Sequence, residues 1–205
     1  MKRTLYPKLL AGYLLYGLIG CLIIVTFTYH ITFHFLERRE ASALYRESAL
    51  ISSSYAGSYF NRSMETAEIR SQLTALGTYL SGEIWIVDTR GNILINTAKP
   101  ELEENQEAIE GFNIADFGSS YYQVGNFYNY FSSNTLSVFS PITVNYKVRG
   151  YVIIHKPENA IVSYANGLTT IAYETLALLF VAAFIVLVLF TYVVYIPIRK
   201  ITKVA

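Results

Sequence analysis

Cysteine is almost missing from this chain: among 205 residues only Cys21 carries a thiol, and it lies inside an apolar run. That excludes an intramolecular disulfide and a thiol cluster on a metal, so a folded segment outside a membrane must hold together by its core alone. Charge is scarce too, 15% of residues against 53% apolar, which is too apolar for an ordinary soluble domain. Catalytic signatures are equally thin. There is no glycine-rich phosphate loop, no Ser, His and Asp set in a hydrolase frame, and no cysteine nucleophile outside the apolar run, so no catalytic residues are assigned. Histidine occurs three times. His30 and His34 are four apart, the spacing that lets two imidazoles share a metal on one helix face, but no third ligand accompanies them and no metal is expected. Their place beside Tyr29 and Phe33 suits amphipathic rings at a membrane interface. His155 stands alone at a strand end and reads as structural.

The apolar excess is concentrated in two places. Leu9 to Phe35 and Thr175 to Ile198 contain no Asp, Glu, Lys or Arg, and each exceeds the about 20 residues a helix needs to cross the hydrocarbon core. A cleaved secretory signal is the rival for the first run, with Ala41-Ser42-Ala43 as its cleavage site. The run is longer than a signal core, and charged Glu37-Arg38-Arg39-Glu40 intervenes, so an uncleaved span is expected. Outside residues 37–169 the cations are Lys2, Arg3, Lys8, Arg199, Lys200 and Lys203, accompanied by one acid, Glu174. Both termini are therefore expected in the cytoplasm. Residues 37–169 hold 10 basic and 14 acidic residues, net −4, which recommends no nucleic-acid partner. The expected division is a cytoplasmic N-terminus at 1–8, spans at 9–36 and 170–196, an outer domain at 37–169 and a linker start at 197–205.

Within the outer segment, residues 37–80 show helical spacing. Leu44, Ser48, Ile51 and Tyr55 share one face, and Ile69, Leu73, Leu76 and Leu80 another. This predicts a long helix leaving the first span, a break near Gly57 to Ser63, and a second helix opened by Ser63. From residue 82 the period becomes two. Ile84 to Val87 and Ile93 to Ile95 flank Asp88-Thr89-Arg90-Gly91-Asn92, a hairpin in which Asp88 caps backbone amides and Gly91 takes positive φ. Residues 99–126 read as an acidic loop with a short helix from Glu101 to Ile109. Asn126 to Phe131, Leu136 to Asn145 and Val148 to His155 read as strands, with a turn at Tyr146-Lys147. A final helix from about Glu158 runs into the second span. The expected class is α+β, with a long N-terminal helix and a five-stranded antiparallel sheet flanked by two transmembrane helices.

The order of these pieces resembles a single Cache (PAS-like) sensor domain. The residues that carry the resemblance are IWIVDTRGNILI with Asp88 and Gly91, then Ser140-Pro141-Ile142 paired with Gly150 to Ile154. Pro197-Ile198-Arg199-Lys200-Ile201 is similar to the opening of a HAMP linker. Proteins of this layout are mostly bacterial sensor histidine kinases, less often chemoreceptors or cyclases. The resemblance implies a ligand pocket between sheet and loop, with Trp85, Tyr121, Tyr122, Tyr130 and Arg149 as its candidates. One cation among aromatic walls would suit a small organic anion. Pro197, Ile198 and Ile201 would couple the second span to a missing output, which would bind ATP and Mg and phosphorylate a response regulator; no cofactor is expected here. A homodimer in lipid is expected, with Gly17 and Cys21 as one small-residue pair. A membrane-anchored envelope assembly factor is the rival class. A reading frame continuing past Ala205 would favour the receptor.

Overall fold

The structure, a computed structural model, describes residues 5–61, 64–99, 107–117, 120–195 and 197. It divides into two units, Phe35–Ser163 and a second made of the residues up to 34 with those from 164 onward.

In the Phe35–Ser163 unit a five-stranded sheet carries the fold. Its strands are β1 (Glu83–Asp88), β2 (Ile93–Asn96), β3 (Tyr122–Gly125), β4 (Thr135–Val144) and β5 (Lys147–Pro157), in the order β2-β1-β5-β4-β3 with every pair antiparallel. The α+β class, the long N-terminal helix and the five-stranded antiparallel sheet follow the expectation. Side chains of successive strand residues point to opposite faces, and register assigns them. Ile84 opposite Ile154, Ile86 opposite Val152 and Ile95, and Val138 opposite Ile154 form one face. This face is covered by helices: α1 (Leu5–Ile51) contributes buried Ala41, Leu44, Ser48 and Ile51, and α3 (Thr66–Leu80) contributes Ile69 and Leu73. Ser52, in the π turn Ser52–Ala56 after α1, donates to the Pro141 carbonyl at 2.6 Å. Lys156 of β5 pairs with Glu40 of α1. Burying each of Leu44, Ile51, Ile69 and Leu73 contributes roughly 1.5–3 kcal/mol. The central strands β1 and β5 are apolar on both faces because both faces are covered.

Turn chemistry sets the hairpins. Asp88 Oδ1 accepts from the backbone N–H of Arg90 (2.8 Å) and Asn92 (2.9 Å), its Oδ2 accepts from Asn92 Nδ2 (2.7 Å), and Gly91 sits at φ 90°. Burial works to raise the Asp88 pKa, but these bonds outweigh it and hold the carboxyl below its ordinary value. Asn145 and Tyr146, at φ 51° and 61°, make the tight turn between β4 and β5, one residue earlier than expected.

Three local expectations are corrected. Residues 126–131 are not a strand; the third strand is β3, four residues upstream, and 126–131 form a left-handed turn described below. Of the helix expected at Glu101–Ile109, residues 101–106 lie outside the described residues and Glu107–Ile109 run extended, with Ala108 bridging Asn92. Of the break expected near Gly57–Ser63, residues 57–61 are helical as α2 (Gly57–Asn61), residue 62 and Ser63 lie outside the described residues, and α3 starts after Glu65, which offers no side-chain cap.

The other unit holds α1 up to residue 34 and α4 (Glu158–Phe190) from residue 164, and both helices are long and apolar enough to cross a membrane. Their large apolar side chains, including Leu15, Leu22, Phe27, Leu178 and Val186, are exposed, as lipid-facing residues are. The Phe180 ring occupies the space where a Cβ on Gly17 would be, and Tyr173 donates to the Val25 carbonyl at 3.4 Å. The Gly17 notch therefore seats a residue of the chain's own second apolar helix. Pro197 is helical and exposed. Ile198, Ile201 and the rest of the tail lie outside the described residues.

Candidate functional site

The second face of the sheet carries the aromatic residues. Trp85 and Val87 of β1 share it with Ile93 and Asn96 of β2, Tyr151, Ile153 and His155 of β5, and Ser137 and Phe139 of β4, as register requires. A bulge at Leu94 lets Ile93 and Ile95 serve opposite faces, since Val87 pairs with Ile93 while Ile86 pairs with Ile95. Over this face lie Ile109, Phe112 and the turn Asn126–Phe131.

That turn is the strained part of the domain. Phe127, Tyr128 and Asn129 have φ of 42°, 53° and 62°, three consecutive non-glycine residues in the left-handed region. Each costs on the order of 1 kcal/mol or more. Local bonds and burial hold it. Tyr130 N–H donates to the Phe127 carbonyl (3.0 Å), Phe131 N–H to that of Asn126 (3.1 Å), and Asn126 Nδ2 to Asn129 Oδ1 (2.6 Å). The Tyr128 hydroxyl donates to Asp116 Oδ2 (2.9 Å) and accepts from Asn113 N–H (3.2 Å); burial and that carboxylate raise its pKa. The result places Phe127 in the core and sets Tyr130 and Phe131 against Trp85.

His155 is at the centre. It is 1% exposed, with ring centroids of Trp85, Phe127 and Phe131 at 4.3, 4.5 and 4.9 Å. Its Nδ1 shares a hydrogen bond with Ser137 Oγ at 2.9 Å. Burial pushes its pKa down from 6.5 to about 3, so the imidazole is neutral at physiological pH. At the rim, Lys99 Nζ contacts both oxygens of Glu107 (3.0 and 2.9 Å), Tyr130 donates to Glu107 Oε2 (3.1 Å), and the Lys99 ammonium sits 5.3 Å from the Tyr130 ring centroid. The hydrogen bond from Lys99 holds Glu107 below its ordinary pKa, while burial raises that of Tyr130.

No family model matches the chain. No curated protein matches it in sequence either. Solved structures align with it in part. One is the extracellular domain of a protein named as a histidine kinase, at 14% identity and TM-score 0.49, over 69% of this chain and 61% of that one. Another is a domain of a protein named as a sensory box/GGDEF family member from Vibrio parahaemolyticus, at 14% and 0.46, over 65% and 61%. A third is the sensor domain of the V. cholerae histidine kinase DctB, at 13% and 0.35, over 75% and 58%. The chain thus spans about three fifths of the length of those structures.

Of the five candidate pocket residues, the structure brings two together: Trp85 and Tyr130, with ring centroids 4.5 Å apart. Tyr122 is opposite Val138 on the helix-covered face, and its pKa is raised by burial and then by the Glu37 carboxylate of α1. Tyr121 packs with its ring tilted against Tyr45 of α1, centroids 4.8 Å apart. Arg149 is the extra residue of a bulge in β5, between Val148 opposite Thr143 and Gly150 opposite Ile142, and it is exposed. The sequence reading missed Asn96, Ser137 and His155 as members of the aromatic face. Strand parity was the available signal, because His155 stands two residues from Ile153, opposite Trp85. A groove of about 550 Å³ along Thr66, Ala67, Arg70, Ser71 and Thr74 of α3 includes none of the candidates.

Proposed function

We propose that this chain is the sensing region of a membrane receptor, whose α+β domain answers an extracytoplasmic cue and whose two apolar helices carry the answer to a cytoplasmic output. The observation that carries the reading is the extent of α1. One helix includes the uncharged run Leu9 to Phe35 and, further along, Ala41, Leu44, Ser48 and Ile51 buried under the sheet. The other apolar helix, α4, begins at Glu158 directly after β5 ends at Pro157. A change in sheet packing therefore acts directly on helices rather than on loops. The energy available is the ligand's differential affinity for two packings, commonly about 1–3 kcal/mol.

In this reading the domain is a Cache-type, PAS-like sensor, both termini are cytoplasmic, and the chain works as a homodimer in lipid. Pro197, Ile198 and Ile201 begin a HAMP-like coupling segment. The output is the histidine kinase of a two-component phosphorelay, which brings the ATP, the Mg and the response regulator; a chemoreceptor or cyclase output is the alternative the same input would serve. The cue acts at the aromatic face, where Trp85 and Tyr130 meet His155, Phe127 and Phe131. Strain at Phe127–Asn129 supports a site there, since such conformations cluster where proteins bind or switch. Tyr121 and Tyr122, against α1, serve coupling.

The test joins residues 1–205 to the kinase output of a reporter two-component system. One alanine inserted after Leu36 turns the buried face of α1 by about 100°, and seven bring it back to within about 20°. The one-residue insertion is expected to lock the reporter on or off, and the seven-residue insertion to restore its original level. A reporter indifferent to the phase of the insertion would sink the coupling.

A further inference from the structure

Three buried side chains on the aromatic face carry a nitrogen with no hydrogen-bond partner among the described residues: Trp85 Nε1, Asn96 Nδ2 and His155 Nε2. They belong to one layer. Trp85 and Asn96 are directly opposed across β1 and β2, and the Trp85 and His155 rings are 4.3 Å apart. An unmet buried donor costs about 1–3 kcal/mol, so three on one face of the adjacent strands β2, β1 and β5 are a costly arrangement unless something completes them.

Their chemistry defines the complement. Indole N–H is a donor only. The Asn96 oxygen already accepts from Ala98 N–H at 2.9 Å, which leaves its NH₂ group as the unmet part. When the Ser137 hydroxyl donates to His155 Nδ1, Nε2 carries the ring proton and becomes the third donor. In that tautomer the layer presents three donors, which ask for oxygen acceptors. Charge on the guest is disfavoured: Lys99, beside the Tyr130 ring, is already neutralised by Glu107, and the imidazole is held uncharged by burial. A carboxylate entering this layer would lose its hydration without a counter-charge, whereas a neutral carbonyl needs only the donors. The rings of Trp85, Phe127 and Phe131 supply flat walls.

Resting on the sensor reading above, we infer that the aromatic face binds an uncharged, planar molecule bearing a carbonyl oxygen, with Trp85, Asn96 and His155 donating to its oxygens and Phe127 and Phe131 against its plane. This replaces the organic anion expected with Arg149.

Trp85 is the chain's one tryptophan, so the full chain in lipid nanodiscs, labelled with ¹⁵N at the indole, gives a single indole cross-peak. It is titrated with benzamide and 2-piperidone, and with benzoate as the anionic counterpart of benzamide. The expected result is a saturable shift and a raised melting temperature with at least one of the neutral compounds, and binding of benzoate at least ten-fold weaker. Asn96→Asp, which keeps the oxygen that Ala98 uses, and Trp85→Phe, followed by melting temperature, should each weaken the neutral compound at least ten-fold. Benzoate binding as well as benzamide would overturn the uncharged class and leave the sensor reading standing. A cross-peak unmoved by every compound, with the indole N–H in contact with internal water, would overturn the site itself. The insertion series on α1 needs no ligand and judges the sensor reading separately.

Discussion

Acid is expected to loosen the domain through His155 before its carboxylates titrate. The folded imidazole, 1% exposed and enclosed by Trp85, Phe127 and Phe131, has its pKa pushed by burial from 6.5 to about 3. Below pH 6.5 the unfolded chain takes up a proton that the folded one refuses until about pH 3, so stability is full above this window and falls as pH drops through it. The slope is about 1.4 kcal/mol per pH unit, which amounts to about 3 kcal/mol over two units, against a total stability of about 5–15 kcal/mol for a typical domain. The lowered carboxylates act elsewhere. Glu107 is held down first by its hydrogen bond from Lys99; at Asp88 burial pulls the other way and the bonds from Asn92 and Arg90 outweigh it. Their contributions are present above the unfolded values of 4.5 and 3.8 and are lost only as pH falls further. The interval from pH 6.5 to 4.5 therefore reports the histidine among these shifted groups. Urea unfolding of the full chain in mild detergent, followed by Trp85 emission, measures it. The midpoint should fall steadily across that interval in the native protein and stay level in His155→Leu. Equal slopes in the two proteins would refute the burial account.

Two further changes test the packing. Gly91→Ala puts a Cβ at φ 90° and 2.6 Å from Phe112 Cβ, and should cost about 1–3 kcal/mol in the same urea assay; an unchanged midpoint would mean that the turn remodels freely. Gly17→Val forces the Phe180 ring from its seat and should cost about 1–3 kcal/mol in bilayer unfolding measurements, most of it recovered when combined with Phe180→Ala. Strictly additive costs would show that the ring does not sit on Gly17.

Legibility followed the reach of each interaction. The hairpin at Asp88 and Gly91 could be read because its hydrogen bonds close within five residues, and the helix faces at Leu44, Ser48, Ile51, Ile69 and Leu73 because one side of a helix repeats at a fixed step. Residues 126–131 misled because aromatic composition favours a strand, while Asn126 and Asn129 tolerate positive φ and the burial of Phe127 offsets the strain. Arg149 misled because a bulge leaves it exposed, and a bulge adds one residue without altering the pattern around it.

Composition and period alone determined that there are two helices apolar enough to cross a membrane and an α+β segment without disulfides, because these depend on hydration and on local backbone geometry. Which aromatics share a face was decided only by strand register. Tyr121 and Tyr122 precede Trp85's neighbours Tyr130 and Phe131 by fewer than a dozen residues, yet Tyr122 lies on the opposite side of the sheet and Tyr121 against α1. His155, distant in sequence from Trp85, became its nearest ring because β1 and β5 pair in the middle of the sheet. A one-residue change in pairing reverses every side chain of a strand, so the composition of such a site is a property of the assembled sheet.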